Sequence, residues 1–392
     1  MSETAIFAEL CARLTALVEA SPALQRQLAG LDIANLLTAA DWARVAVLRK
    51  SELAALQREA PPFAGIAKSA NAFKRLFLSP GPIFEAEDHG EDPYGAKRAF
   101  AAAGFVCGDI LLNCFSYHLT PGAFVLESGA HAMGCAVIPA GPGNTEQTLQ
   151  AVQQLRPTGY AGPPDFLKIL LDKAEASGVD ARSINKALVS GAALPLSLRA
   201  ELEARGVKTR QAFATAELGI IAYETDDSNG ALAPGMLVNQ DIGLEIVRPG
   251  SGDPLPIGGV GEIVVTALRG KFPLLRFATG DLSAYLDAER IKGWMGRADQ
   301  TTKVKGLFVH PSEVVEVGKR HPELGPLRLV VSRRDEQDEM ILRTELTSPG
   351  EGLAERVAAT LQALTKLRGT VEFVAPGSLP NDGKTIADER PV

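Results

Sequence analysis

Cysteine is scarce: the 392-residue chain has four, Cys11, Cys107, Cys114 and Cys135. None stands in a CxxC pair or beside a histidine at ligand spacing. That excludes a zinc knuckle and a disulfide framework and leaves thiols that behave as small buried apolar groups. Positive charge is not in excess either. Forty Lys and Arg face 47 Asp and Glu, a net charge of −7, so the basic surface of a nucleic-acid binder or of a protein lying on anionic lipid is missing. An anionic ligand therefore needs a local positive site. No apolar run approaches the ~18–20 residues of a bilayer span, and the opening Met1-Ser-Glu-Thr lacks the basic start of a signal peptide. The expectation is a cytoplasmic protein with neither nucleic acid nor membrane as partner. Internal repeats and low-complexity tracts are absent as well.

What is present is an ordinary globular composition, 46% hydrophobic and 22% charged with 38 Gly and 25 Pro, in a length that suits two or three domains. Ile6, Leu10, Leu14, Leu17 and Val18 recur at helical spacing, and a second helical stretch is expected from Trp42 to Leu56. From about Asp109 short apolar runs alternate with helical periodicity: Ile110 to Phe115, Cys135 to Ile138 and Leu188 to Ser190. That alternation predicts an α/β sheet. Between Met236 and Leu286, Ile242–Val247 and Glu262–Thr266 flank the Gly- and Pro-rich segment Pro249–Gly261, which reads as a smaller, more antiparallel β unit. After Gly296 the chain starts afresh. A hairpin (Leu327–Ser332, Met340–Leu346), a helix carrying Leu353, Val357, Leu361 and Leu364, and a strand Thr370–Val374 compose a small α+β domain.

The segment Phe272–Lys305 holds the densest chemistry: Arg276-Phe-Ala-Thr-Gly-Asp281, then Gly296-Arg297-Ala-Asp299, then Lys303-Val-Lys-Gly306. A carboxylate just after a Thr-Gly turn is placed to accept two ribose hydroxyl hydrogen bonds, and a nearby Arg adds donors to the same sugar or its phosphate. The alternative is that Asp281 only shapes a turn.

These blocks resemble the adenylate-forming enzymes, in particular their phenylacetate–CoA ligase branch, and further matches follow in the family's order. Asn113–Gly122 is similar to the aromatic substrate-pocket segment, and Val137–Thr145 to the strand and turn after it. Ser190-Gly-Ala-Ala-Leu-Pro195 resembles the adenine-side loop, and Phe213-Ala-Thr-Ala-Glu217 the motif that ends in a metal-binding glutamate. Gly261–Thr266 is similar to a strand block, and Gly383-Lys384 to the C-terminal pair that supplies a mobile catalytic lysine. The resemblance implies a large N-terminal α/β domain of packed sheets and helices (1–298) and a small mobile α+β lid (299–392). It implies ATP-dependent activation of a carboxylic acid to an acyl-adenylate, then transfer to CoA, with ATP, Mg²⁺ and CoA as cofactors and a homodimer as the family's common state.

By the same resemblance Glu217 holds Mg²⁺ and Lys384 bridges the carboxylate and the α-phosphate. Gly191, Ala192, Ala193, Phe213, Ala214 and Thr215 line the nucleotide, Asp281 and Arg297 take the ribose, and Asp299 is the hinge. Lys303 and Gly306 lie on the CoA side, and Tyr117, His118, Phe124 and Ala216 line the acyl pocket. Small alanines beside aromatics suit a flat ring, hence an aromatic acid such as an arylacetate or benzoate. Duller readings stay open for each residue: a solvated glutamate, a tail lysine, core aromatics, a structural histidine.

One region departs from the family. Where relatives carry a Ser/Thr- and Gly-rich loop with a lysine around the β- and γ-phosphates, this chain reads Arg75-Leu-Phe-Leu-Ser79-Pro-Gly-Pro-Ile-Phe-Glu85-Ala-Glu-Asp88. Two prolines remove donors, and Glu85, Glu87 and Asp88 repel a triphosphate if they face it. Ala216 also stands where a Ser or Thr is expected, and Ala214 where glycine is usual. Two alternatives follow from these losses: an adenylating enzyme with an acceptor other than CoA, and a non-catalytic relative that binds a nucleotide or an aryl acid.

Overall fold

The expected βα alternation builds the central sheet of the protein. The computed structural model describes residues 3–80, 82–298, 300–334, 337–380 and 384–390, arranged as two units divided between Trp294 and Met295. Five strands of the larger unit are parallel, in the spatial order Ala136–Pro139, Ile110–Asn113, Gly159–Gly162, Lys186–Val189, Lys208–Thr215. Three antiparallel strands, Gly219–Tyr223, Met236–Val238 and Arg290–Ile291, extend the last edge.

Apolar side chains cover both faces, as a parallel sheet requires. One face carries the helices Thr145–Leu155, Pro164–Ala176 and Leu196–Ala204 through Val152, Leu167, Leu170, Leu198 and Leu202. The other carries Lys97–Ala102 and Gly122–Ala132 through Phe100, Val125, Leu126 and Ala130. From Ile110–Asn113 the chain moves to Ala136–Pro139 on one side, and from Gly159–Gly162 it moves to Lys186–Val189 on the other. The sheet therefore has a topological switch point between Ile110–Asn113 and Gly159–Gly162, and ligands of open α/β sheets bind beyond the strands' carboxyl ends at such a point.

The smaller β unit is a four-stranded sheet, Leu48–Arg49, Leu274–Ser283, Gly261–Ala267, Gly243–Val247, antiparallel except at its first pair. Its first strand corrects the expected helix from Trp42 to Leu56. The helix Ala39–Trp42 stops, residues 43–47 are not helical, Leu48 pairs with Phe277, and a new helix runs Lys50–Glu59. Two features displace the helix: the β-branched Val45 and Val47, and Arg276, whose guanidinium captures the carbonyls of Ala43 and Val45 at 2.9 and 2.7 Å. Phe63, Phe73 and Phe272 pack edge-to-face in the core beside this sheet.

The smaller unit has its own core. Its sheet runs Thr370–Val374, Gln337–Glu345, Leu327–Arg334, Ile386–Asp388. The helices Pro311–Arg320 and Leu353–Thr365 bury Val314, Val317, Val357 and Leu361 with it. Among the described residues no helix is long and apolar enough to cross a membrane.

Candidate active site

Three of the predicted segments leave carboxyl ends of parallel strands, so they emerge from one edge of the sheet. Residues 114–121 follow Ile110–Asn113, residues 190–195 follow Lys186–Val189, and the turn Ala216-Glu217-Leu218 follows Lys208–Thr215. This turn joins two antiparallel strands with Thr215 opposite Gly219. Gly219 has φ +69°, and a Cβ there would stand 2.6 Å from the Tyr94 carbonyl oxygen, so only glycine lets the turn lie this close.

Glu217 is wholly buried at its side chain and pairs with Lys50 Nζ at 2.8 Å. Burial alone would push its carboxyl up. The Lys50 ammonium, with backbone N–H and the Thr215 hydroxyl adding to it, holds it below the ordinary carboxylate value. Its Oε2 has no hydrogen-bond partner. Lys50 opens the helix Lys50–Glu59, and Gln57 of that helix clamps the hairpin that carries Phe84: Gln57 Nε2 donates to the Phe84 carbonyl at 2.7 Å, and Phe84 N–H donates to Gln57 Oε1 at 2.9 Å. Sequence reasoning missed Lys50, since nothing local marks a lysine that meets its partner only in the fold.

The hairpin itself is short. Arg75–Ser79 and Ile83–Glu87 are antiparallel with Ser79 opposite Ile83, which leaves a three-residue connection; its middle residue, Gly81, lies outside the described residues. The acids on it do not present a row of negative charge. Glu87 is buried against Lys74 (3.0 Å) and Arg75 (2.8 Å). Asp88 accepts the Lys271 N–H at 2.6 Å and the His89 N–H at 2.8 Å. Glu85 is 3% exposed, accepts a short hydrogen bond from the Ser79 hydroxyl, and has an unpartnered Oε2. Burial, with the Glu217 charge added, pushes its carboxyl up to about 8, so near neutrality it holds a proton.

On the nucleotide side, Gly191 has φ +76°, and its α-carbon faces the Phe115 ring, which a Cβ would meet at 3.2 Å. Ala192 is fixed through its carbonyl, which accepts from Gln211 Nε2 at 3.1 Å, and Ala193 follows it in the same loop. Phe213 packs into the core between the sheets, and Ala214, Thr215 and Ala216 are half-buried. Gln211 was not singled out from sequence, although it lies two residues before the Phe213–Glu217 motif.

The proposed acyl-pocket residues are bound into a polar and aromatic cluster. Asn113 Nδ2 donates to the Tyr117 hydroxyl and to the Ala123 carbonyl, both at 2.9 Å, and the Tyr117 hydroxyl donates to Glu127 Oε2 at 2.8 Å. Burial, and then Glu127, raise the Tyr117 phenol well above its ordinary value. The Phe124 ring meets Tyr117 edge-on, with centroids 5.1 Å apart, and lies beneath the Arg75 guanidinium at 4.4 Å. His118 is exposed, its backbone N–H on Ser116 Oγ.

Asp281 is 8% exposed near the end of Leu274–Ser283 and accepts the Trp294 indole N–H at 3.0 Å. Arg297, Lys303, Gly306 and Lys384 belong to the smaller unit, and Asp299 lies outside the described residues. Lys305 (φ +46°) and Gly306 (φ +86°) form the turn between Thr302–Val304 and Leu307–Val309, a left-handed pair typical of tight hairpins. Lys303 lies over the Phe308 ring at 5.9 Å. Gly383 lies outside the described residues, while Lys384 is exposed and immediately precedes Thr385, whose N–H donates to Gln300 Oε1 at 2.7 Å, and the strand Ile386–Asp388. A paired strand, not a loose tail, therefore follows this lysine.

Comparison with known proteins concerns the family and the fold. The AMP-binding enzyme family matches residues 94–268. A phenylacetate–coenzyme A ligase of Thermus thermophilus is 30% identical over 343 residues, covering 82% of this chain and 76% of that protein. The chain belongs to the phenylacetate–CoA ligase family. A second such ligase, of Aromatoleum evansii, is 25% identical over 75% of this chain and 72% of its own. Among solved structures, a 2-hydroxyisobutyryl-CoA ligase crystallised with 2-HIB-AMP and CoA superposes with a TM-score of 0.77 at 23% identity, over 99% of this chain and 90% of that one. An amide bond synthetase from Marinactinospora thermotolerans reaches 0.57 at 19% identity, over 83% and 70%. These two likenesses concern the fold.

Proposed function

We propose that the protein activates a carboxylic acid with ATP, releasing pyrophosphate, and passes the acyl group from the adenylate to the thiol of CoA, releasing AMP. The observation that carries this reading is the buried, ionised Glu217 at a strand's carboxyl end, on the same sheet edge as the Gly191–Ala193 loop that Gln211 steadies. A charged carboxylate with an unpartnered buried oxygen is costly to maintain unless a cation takes it up. Its hard oxygen fits Mg²⁺, although among the described residues no group of three or more His, Cys, Asp or Glu converges as a self-sufficient metal cage. When bound, Mg²⁺ supplies neutralisation of the phosphate charge.

The chain's own residues account for the rest. The Ala192 region and Phe213 form the wall against which adenine lies, and Thr215 offers a hydroxyl in place of the one lost at Ala216. Asp281 accepts the ribose hydroxyls, held by Trp294. Arg297 assists at the sugar, Lys384 steadies the charge that builds as the acid oxygen meets the α-phosphorus, and Lys303 and Gly306 serve the thiol's approach. In the acyl pocket the rings of Tyr117 and Phe124, together with Ala216, suit an aromatic acid, because the Tyr117 hydroxyl is already committed to Glu127. His118, exposed, is free to meet the acid's far end.

ATP–pyrophosphate exchange across aryl and alkyl acids tests the first half, and CoA-dependent AMP release tests the second. Exchange without CoA dependence would point to another acceptor. The short hairpin favours a second reading, a nucleotide-binding relative without catalysis; nucleotide binding by calorimetry with no exchange for any acid would establish that instead.

A further inference from the structure

We propose that Lys50 is a resident counter-ion of Glu217, which a divalent cation displaces when nucleotide binds, and that the released ammonium then serves the phosphates that the short hairpin does not wrap. This rests on the reading of Glu217 as the metal-binding carboxylate. Lys50 Nζ lies 2.8 Å from Glu217 Oε1, where a bound cation would sit, and the Glu217 side chain has no exposure while that of Lys50 keeps 27%. The Lys50 side chain thus reaches both the buried carboxylate and solvent.

Beyond the lysine, Glu217 Oε2 is buried without a hydrogen-bond partner. The ion pair leaves the Glu217 carboxylate neutralised, so a dication entering alone must break a buried pair. A dication arriving with a triphosphate gives the displaced ammonium a new anionic partner. Lysine suits such an exchange, being a compact charge on a flexible stem, whereas arginine would lock a carboxylate with a two-pronged fork. Lys50 is also the first residue of Lys50–Glu59, and Gln57 of that helix holds the hairpin strand through both directions of its amide. The cation and the truncated loop are therefore fixed to one rigid element.

Calorimetric titration of the full chain with Mn²⁺ alone, then with ATP or AMP in saturating Mn²⁺, tests the exchange in the wild type, Lys50→Met, Lys50→Arg and Glu217→Gln. Lys50→Met should bind Mn²⁺ about tenfold more tightly than the wild type, as a buried charge partner is no longer in competition. It should bind ATP about tenfold more weakly while AMP changes by less than about threefold. Lys50→Arg should restore wild-type weakness toward Mn²⁺, and Glu217→Gln should abolish the Mn²⁺ heat. If Lys50→Met melts early in chelator, a melting temperature recovered by Mn²⁺ reports the same exchange. Equal or weaker Mn²⁺ binding by a folded Lys50→Met, or an equal fall in ATP and AMP affinity, overturns the inference and leaves the role of Glu217 standing. Mn²⁺ binding indifferent to Glu217→Gln overturns both.

Discussion

The Glu217 turn and the hairpin Arg75–Glu87 are built on different footings. The turn and the Gly191–Ala193 loop hang from carboxyl ends of buried parallel strands, where backbone geometry constrains residue type. The hairpin Arg75–Glu87 hangs from two strands outside that sheet, and its connection has shrunk to three residues. Carboxylates on the hairpin are absorbed internally, Glu87 by Lys74 and Arg75, Glu85 by Ser79. The turn is thus tied to the central sheet, and the hairpin is not.

The largest test of the comparison removes the anchor on the strand-end side. Glu217→Gln should lower ATP–pyrophosphate exchange by about 10³-fold, through loss of the charge stabilisation around the phosphate. Stability should change little, because the lysine it abandons keeps access to water. Next, Lys384→Ala should slow adenylation by about 10²-fold while thioester formation from a supplied acyl-adenylate stays within about threefold of wild type. An equal loss in both half-reactions would remove the lysine from adenylation specifically.

On the hairpin side the prediction concerns stability. Glu85 has its carboxyl raised to about 8 by burial and the Glu217 charge, against an ordinary 4.5. The unfolded chain releases this proton near 4.5 and the folded one near 8, so folding loses stability as pH climbs through that window and the loss levels off above it. Glu85→Gln should therefore raise the unfolding free energy at pH 8.5, by about 2 kcal/mol after allowing for a weaker bond to Ser79, with a higher melting temperature there, and change both little at pH 5. A gain independent of pH would mean that the carboxyl is not held neutral.

How much of this was legible in the sequence follows the same division. The parallel strands, the small α+β unit and the motifs at strand ends could be read because apolar periodicity and local Gly placement act over a few residues. The strand Leu48–Arg49 could not, since it forms by pairing with Phe277 and Ala278 far along the chain. Nor could the neutralisation of Glu87, which depends on Lys74 and Arg75 turning toward a carboxylate across a hairpin whose register only the fold sets. The hydrogen bond from the Tyr117 hydroxyl to Glu127, on the helix that follows, was not legible either.

The smallest expected effect lies on the strand-end side, at a residue the motifs did not include. Gln211 sits in Lys208–Thr215 and its amide donates to the Ala192 carbonyl at 3.1 Å, so the strand that leads into the Glu217 turn also sets the loop of the preceding strand. Gln211→Ala removes one neutral hydrogen bond, about 1 kcal/mol. The loop would then sample more positions before adenine binds. KM for ATP should rise about fivefold with kcat and the CoA-dependent step nearly unchanged, since the bond preorganises a wall and touches no reacting atom. A fall in kcat at unchanged KM would instead place Gln211 in the reaction, and the rigid side of the comparison would have to include its supporting strand.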